Sequence, residues 1–103
     1  MNKKTVELKS KKKVQIREML EDEMDDCKDL IIYHRTDDGK FSHFTGLSKS
    51  RTAWLRRGIV GGDFKKFESD EKGYPTDSVL KELSDDEKNE LTQLIQDYQS
   101  LGE

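Results

Sequence analysis

Leu30-Ile-Ile-Tyr-His-Arg-Thr-Asp-Asp-Gly-Lys-Phe-Ser-His-Phe-Thr-Gly46 is the stretch whose reading decides the fold. Leu30 to Tyr33 are β-branched, aliphatic or aromatic, which suits a pleated strand. Asp37-Asp38-Gly39-Lys40 is a turn signal, and Asp38-Gly39 tolerates the positive φ angles of a type I′ turn. Phe41 to Thr45 then returns as a second strand, and Gly46 ends it. A two-residue loop at Asp38-Gly39 sets Thr36 opposite Phe41, Arg35 opposite Ser42, and His34 opposite His43.

In that register one face carries Leu30, Ile32, His34, Phe41 and His43. The other carries Ile31, Tyr33, Arg35 and Phe44. Both faces have apolar surface that wants covering. Either the first and last helices cover opposite faces, or one face meets a partner, since exposed apolar sheet surface marks an interaction site.

Outward from the hairpin, the pattern becomes helical. Towards the N-terminus, Ile16, Met19, Leu20, Met24 and Cys27 recur at three- and four-residue steps, which predicts a helix from Val14 with Ser10 as a candidate N-cap. The acids at 21–26 are poorly placed near the C-terminal end of such a helix. Residues 1–12 are Lys-rich and read as a basic flexible arm, leaving 13–103 as a single domain.

Beyond the hairpin, Ser48 or Ser50 caps a short helix, RTAWLRRGIV, with Trp54 and Leu55 turned to the sheet and Gly58 or Gly61-Gly62 as its end. Residues 63–77 are irregular, with Phe64, Phe67 and Tyr74 folding back onto the core and Pro75 marking a turn. Ser78 to Leu83 suits one helical turn. Ser84 with Glu87 forms a capping box for a last helix, whose buried stripe is Leu91, Leu94, Ile95, Tyr98 and Leu101. The fold class is therefore α+β, one small domain with an antiparallel hairpin packed by helices, in the order α-β-β-α-(irregular)-α.

Charge is unevenly spread over the 103 residues, whose formal net charge is −3. Segment 1–17 carries +6, 18–29 carries −6, 30–63 carries +3 and 64–103 carries −6. A chain that grips duplex DNA non-specifically shows a clearer basic excess. Cys27, the single cysteine, cannot close an internal disulfide, and the basic start lacks the apolar segment of a secretion signal, so a bacterial cytoplasmic setting is expected. The longest apolar run, LIIY, is too short to span a bilayer, so no membrane partner is expected.

The residues that bear chemistry are few. His34 and His43 side by side could hold zinc only with further ligands, and no spacing motif supplies them. Cys27 stands among Asp25, Asp26 and Asp29, which raise a thiol pKa and oppose a nucleophilic role. GIVGG lacks the Lys-Ser/Thr ending of a phosphate loop, and EDEMDD lacks the oxygen spacing of a calcium loop. No catalytic residue, metal or cofactor is expected.

DLIIYHRTDDGKF followed by FTGLSKSRTAWLRR resembles small accessory proteins encoded by phages and prophages. The resemblance covers roughly residues 14–60. That family's members are mostly uncharacterised, so no functional residue is carried over. The resemblance implies a small protein that binds a host or phage macromolecule.

The reading is a non-enzymatic protein-binding module, of the kind that regulates or inhibits a host protein. Its expected contact residues are Tyr33, Arg35, Phe44, Trp54, Arg56 and Arg57, an aromatic and arginine set of the type that dominates interfaces. One alternative is a nucleic-acid-binding regulator using the Lys-rich arm with Arg51, Arg56 and Arg57. Another is a metal-dependent enzyme on His34 and His43. The sequence leaves a homodimer open.

Overall fold

The computed structural model describes residues 2–100. Its first elements are strands: β1 (Lys3–Glu7) and β2 (Lys13–Arg17) form an antiparallel hairpin with Lys3 opposite Arg17 and Glu7 opposite Lys13. This corrects both the flexible arm and the helix from Val14. Val14 and Ile16 are the inward positions of a period-two pattern, matched across the hairpin by Val6, and all three are buried. The turn is held by Leu8 N donating to Lys12 O at 2.9 Å and Lys11 N donating to Leu8 O at 2.8 Å.

Acids near the other end of the chain anchor that Lys-rich turn. Lys9 N donates to the Glu90 carboxylate at 3.2 Å, Ser10 Oγ donates to Glu87 at 2.7 Å, and Lys12 Nζ donates to Glu82 O at 3.1 Å. The positive and negative segments of the sequence thus meet within one chain.

Helix α1 (Glu21–Asp29) starts seven residues later than expected. Glu21, Asp22 and Glu23 therefore stand in its first turn, where the helix dipole favours them, rather than opposing it. Glu23 reaches back to accept from Leu20 N at 3.0 Å. Met19 and Cys27 are buried, whereas Leu20, expected in the stripe, is exposed.

After strands β3 (Ile32–Arg35) and β4 (Phe41–Thr45) comes α2 (Leu47–Gly58), which packs on α1 and on the last helix. Gly58 closes α2, the earlier of the two expected ends, and strand β5 (Ile59–Gly62) follows at once. β5 pairs antiparallel with β2, completing a sheet of order β1-β2-β5. Sequence periodicity missed β5 because a four-residue strand with two glycines carries no alternation.

Phe64 and Phe67 pack against the core as expected. Arg17 pairs with Glu23, and Glu23 accepts from the Tyr74 hydroxyl at 3.1 Å. The Arg57 guanidinium lies 5.5 Å from the centre of the Tyr74 ring. Segment 63–76 is tied to α1 and α2 through this polar chain. A single turn, α3 (Asp77–Leu80), precedes α4 (Asp85–Ser100). Ser84 Oγ accepts from Glu87 N at 3.1 Å, and Glu87 accepts from Ser84 N at 2.9 Å, so the capping box is present. Leu91 and Ile95 are buried, Leu94 and Tyr98 partly so, and Leu101 lies outside the described residues. The α+β class and the antiparallel pairing stand, and the element order changes at the N-terminus and at β5.

Two carboxylates bind this frame together and predict acid sensitivity. Burial pushes Glu23 up, but Arg17 and the Leu20 amide outweigh it and hold it below its ordinary value. The Ser84 amide, Ser10 and Lys12 hold Glu87 low. A folded-state pKa below the unfolded one adds stability that is present above the unfolded value and lost as pH falls through the folded one. Thermal unfolding followed by circular dichroism should therefore show a falling melting temperature as pH drops below the carboxylate range. Glu87→Gln should lose about 1 kcal/mol at neutral pH through its cap, and it should flatten the acid slope. An unchanged slope in that variant would remove Glu87 from this role.

Candidate protein-binding surface

The β3–β4 hairpin forms its own two-stranded sheet, separate from the β1-β2-β5 sheet. Its turn has three residues rather than two. Thr36 N donates to Lys40 O at 2.8 Å, Gly39 N donates to Thr36 O at 2.9 Å, and Gly39 takes φ +82°. This is the three-residue loop with a left-handed glycine, and Asp38 supports it by accepting from Thr36 Oγ1 and from Lys40 N. Arg35 is thereby opposite Phe41, not Ser42. A bulge then restores the expected pairing, so that His34 faces His43. The two shifts cancel at the histidines and differ only at the tip.

That difference moves one aromatic. Phe41, expected on the histidine face, joins Tyr33 and Phe44 on the other. The Tyr33 and Phe44 ring centres are 4.9 Å apart at 69°, and those of Phe41 and Phe44 are 4.7 Å apart at 49°. Edge-on and tilted contacts of this kind are favourable aromatic geometries. Yet Tyr33 is 66% exposed, Phe41 55% and Phe44 43%. Ile32 and Leu47 are also exposed. The reading in which two helices cover opposite faces does not hold: helices α1 and α4 pack on α2, and the hairpin packs chiefly on itself.

The expected contact residues separate into two groups. Tyr33, Arg35 and Phe44 lie on the hairpin, all exposed, with Arg35 Nη1 donating to Gly39 O at 3.1 Å. Trp54 is only 4% exposed and belongs to the core, so it offers no contact surface. It does not face the hairpin, because α2 turns its apolar side to α1, α4 and β5. Arg56 donates to Pro75 O at 2.9 Å and pairs with Asp77. Arg57 lies against Tyr74 and 4.0 Å from Asp26. Arg51 donates to Asn89 at 3.0 Å and faces Asp85 at 3.5 Å. These three arginines bind α2 to its neighbours. Phe41, Ile32 and Leu47 are the surface residues that sequence reasoning missed. Only the bulge, invisible as a pattern, brings Phe41 to the aromatic face.

The histidine rings stack at 4.4 Å with their planes 5° apart. His34 Nε2 is 2.9 Å from Thr45 Oγ1, and His43 Nδ1 is 2.9 Å from Ser42 Oγ. Among the described residues no group of three or more His, Cys, Asp or Glu side chains is arranged to hold a metal ion. Cys27 is buried, and burial is the first cause that pushes its thiol up to about 11, with Asp26 and Glu23 adding to it against Arg57. No described helix is long and apolar enough to cross a membrane. Comparison with protein-family models, curated proteins and solved structures gives no match to this chain.

Proposed function

We propose that this protein is a non-enzymatic protein-binding module whose contact element is the β3–β4 hairpin. The observation that carries the reading is the exposed cluster of Tyr33, Phe41 and Phe44 on one face of that hairpin. Three rigid aromatic rings with Arg35 at their edge supply large contact area at small entropic cost, which is the make-up of an interface hot spot. A small domain gains little by leaving such groups in water unless a partner removes them. The likeness of residues 14–60 to phage-type accessory proteins supports a partner in a bacterial host, with regulation or inhibition as the outcome.

The test is affinity purification from a bacterial lysate with the wild type and with Tyr33→Ala/Phe44→Ala, followed by affinity measurement on the partner identified. Two hot-spot truncations of about 2 kcal/mol each predict a loss of at least roughly a hundredfold. The double variant should keep its far-ultraviolet circular dichroism, because both side chains are exposed. A folded double variant with wild-type affinity would sink this surface.

A further inference from the structure

We propose that the cleft between α1 and α4 is a docking groove for a basic amphipathic helix of a partner protein. The groove is separate from the aromatic face of the β3–β4 hairpin and does not rest on it.

The first observation is shape. Helices α1 and α4 both pack on α2 and pack little on each other, which leaves a cleft between them. Its main stretch, about 680 Å³, lies between Glu21, Met24 and Asp25 on one side and Gln96 and Ser100 on the other. A smaller stretch of about 310 Å³ continues it past Asn89 and Thr92 to Leu47. The two share Ile31, Ser50 and Gln96, so they form one groove. Helix α4 lines it from Asn89 to Ser100, about 16 Å at the rise of a helix. That length takes roughly three turns of a second helix laid alongside, and it exceeds what a compact cation needs. Met19, Met24 and Ile31 make the lining apolar, and the exposed Leu47 extends it. Methionine side chains repack readily around incoming apolar groups, and a groove of this kind takes the apolar stripe of a helix.

The second observation is charge, and it sets the sign of the partner. The acids of α1 divide into two sets. Glu23 pairs with Arg17, and Asp26 lies 4.0 Å from Arg57. Glu21 and Asp25, which line the groove, have no cation partner among the described residues. They stand four residues apart on one helix face, a like-charge spacing that costs the free helix stability. Glu18 adds a third carboxylate to the main stretch, whereas the α4 wall there offers Gln96, Gln99 and Ser100. Lys28 is the one cation lining that stretch among the described residues. Lysines or arginines beside the apolar stripe of a docked helix sit against Glu21 and Asp25 and relieve their repulsion.

Fluorescence anisotropy of the full chain with a labelled probe peptide tests this. The probe has about four helical turns, with leucines at helical spacing and lysines flanking them. It should bind saturably. A scrambled peptide of the same composition should bind at least about tenfold more weakly, the cost of one leucine left unburied. Glu21→Gln/Asp25→Asn should weaken the probe by about three- to thirtyfold. Asp37→Asn/Glu71→Gln makes the same change in net charge at exposed acids outside the groove, and it should leave binding unchanged. Gln96→Trp, which fills the middle of the groove, should largely abolish binding. Absence of saturable binding overturns the proposal. Equal binding of the scrambled peptide, or equal losses in the two charge variants, also overturns it, because either shows only general attraction to an acidic protein. A doubled mass in sedimentation with the probe excluded gives the groove to a second copy and overturns it too. Should Gln96→Trp lose its circular dichroism, the exposed Glu21 and Asp25 pair decides alone. Tyr33→Ala/Phe44→Ala should bind the probe like the wild type, so the groove and the hairpin surface fall separately.

Discussion

Trp54→Ala is expected to lose about 3–5 kcal/mol of stability, the usual cost of emptying a large aromatic site in a packed core. Trp54 sits in a continuous cluster with Leu55, Ile59, Leu91 and Ile95, each no more than 1% exposed. Truncation there removes both the transfer free energy of the ring and its contacts with the walls. Domains of this size are stable by about 5–15 kcal/mol in total, so the variant should be partly unfolded or very soft. Urea unfolding followed by circular dichroism reads the effect, and Trp54→Phe should recover much of it. Tyr33→Ala, at an exposed ring, should shift stability by less than about 1 kcal/mol. A Trp54→Ala protein of wild-type stability that lost only partner binding would return Trp54 to the contact surface and contradict its burial.

The second large effect is expected at Gly46, the joint between hairpin and helix. Gly46 takes φ +84°, a conformation that costs L-residues about 1 kcal/mol. The greater obstacle is space. A Cβ built at Gly46 would stand 1.9 Å from the Leu30 carbonyl oxygen, and backbone cannot swing aside as a side chain can. Gly46→Ala must therefore spread the base of the hairpin. Just after it, Gly46 O accepts from Ser50 N at 2.9 Å and the buried Ser50 Oγ donates to Cys27 O at 2.7 Å. Spreading the base strains this link between α1 and α2. The expected loss is several times larger than at Gly39, where φ is +82° but nothing lies within 4 Å of a built Cβ. Gly39→Ala should cost about 1 kcal/mol from backbone conformation alone. Denaturant midpoints of the two variants give the comparison directly. Equal costs would show that the close approach at Leu30 relaxes freely.

Acid behaviour is set mainly outside the hairpin, by carboxylates that tie elements of the frame together. Of the carboxylates held low, Glu23 sits on α1 and Glu87 on α4, while the exposed Asp38 of the β3–β4 turn is held low by the Thr36 hydroxyl and the exposed Asp77 by Arg56. Acid should thus loosen the helical frame and the β1–β2 turn where Glu87 accepts from Ser10.

Some of this architecture was readable in the chain because its determinants are local. Asp-Asp-Gly-Lys specifies a turn through side-chain acceptors and a glycine, and alternating β-branched and aromatic residues specify the flanking strands. Ser84 and Glu87 cap α4 through contacts three residues apart. The apolar stripe of Leu91 and Ile95 follows helical spacing. The N-terminal region misled because its signals compete. Ile16, Met19 and Cys27 fit a helix, but Val6, Val14 and Ile16 fit two strands, and only pairing between them settles the contest. That pairing is supported by Ile59 of β5, far along the chain, and by acids of α4 on the Lys-rich turn. No window of sequence holds those partners together.

The candidate surface divides in the same way. The sequence by itself determined the α+β class, the β3–β4 hairpin with its His34–His43 pair, and the capped final helix, because each depends on neighbours a few residues apart. Tertiary structure alone decided that Trp54 lies inside, that Arg51, Arg56 and Arg57 answer acids and carbonyls of other elements, and that Phe41 joins Tyr33 and Phe44 in the open. Burial is a property of what packs against a residue from elsewhere in the chain. Helices α1 and α4 close over α2 and not over the hairpin, so the aromatic face is left to water.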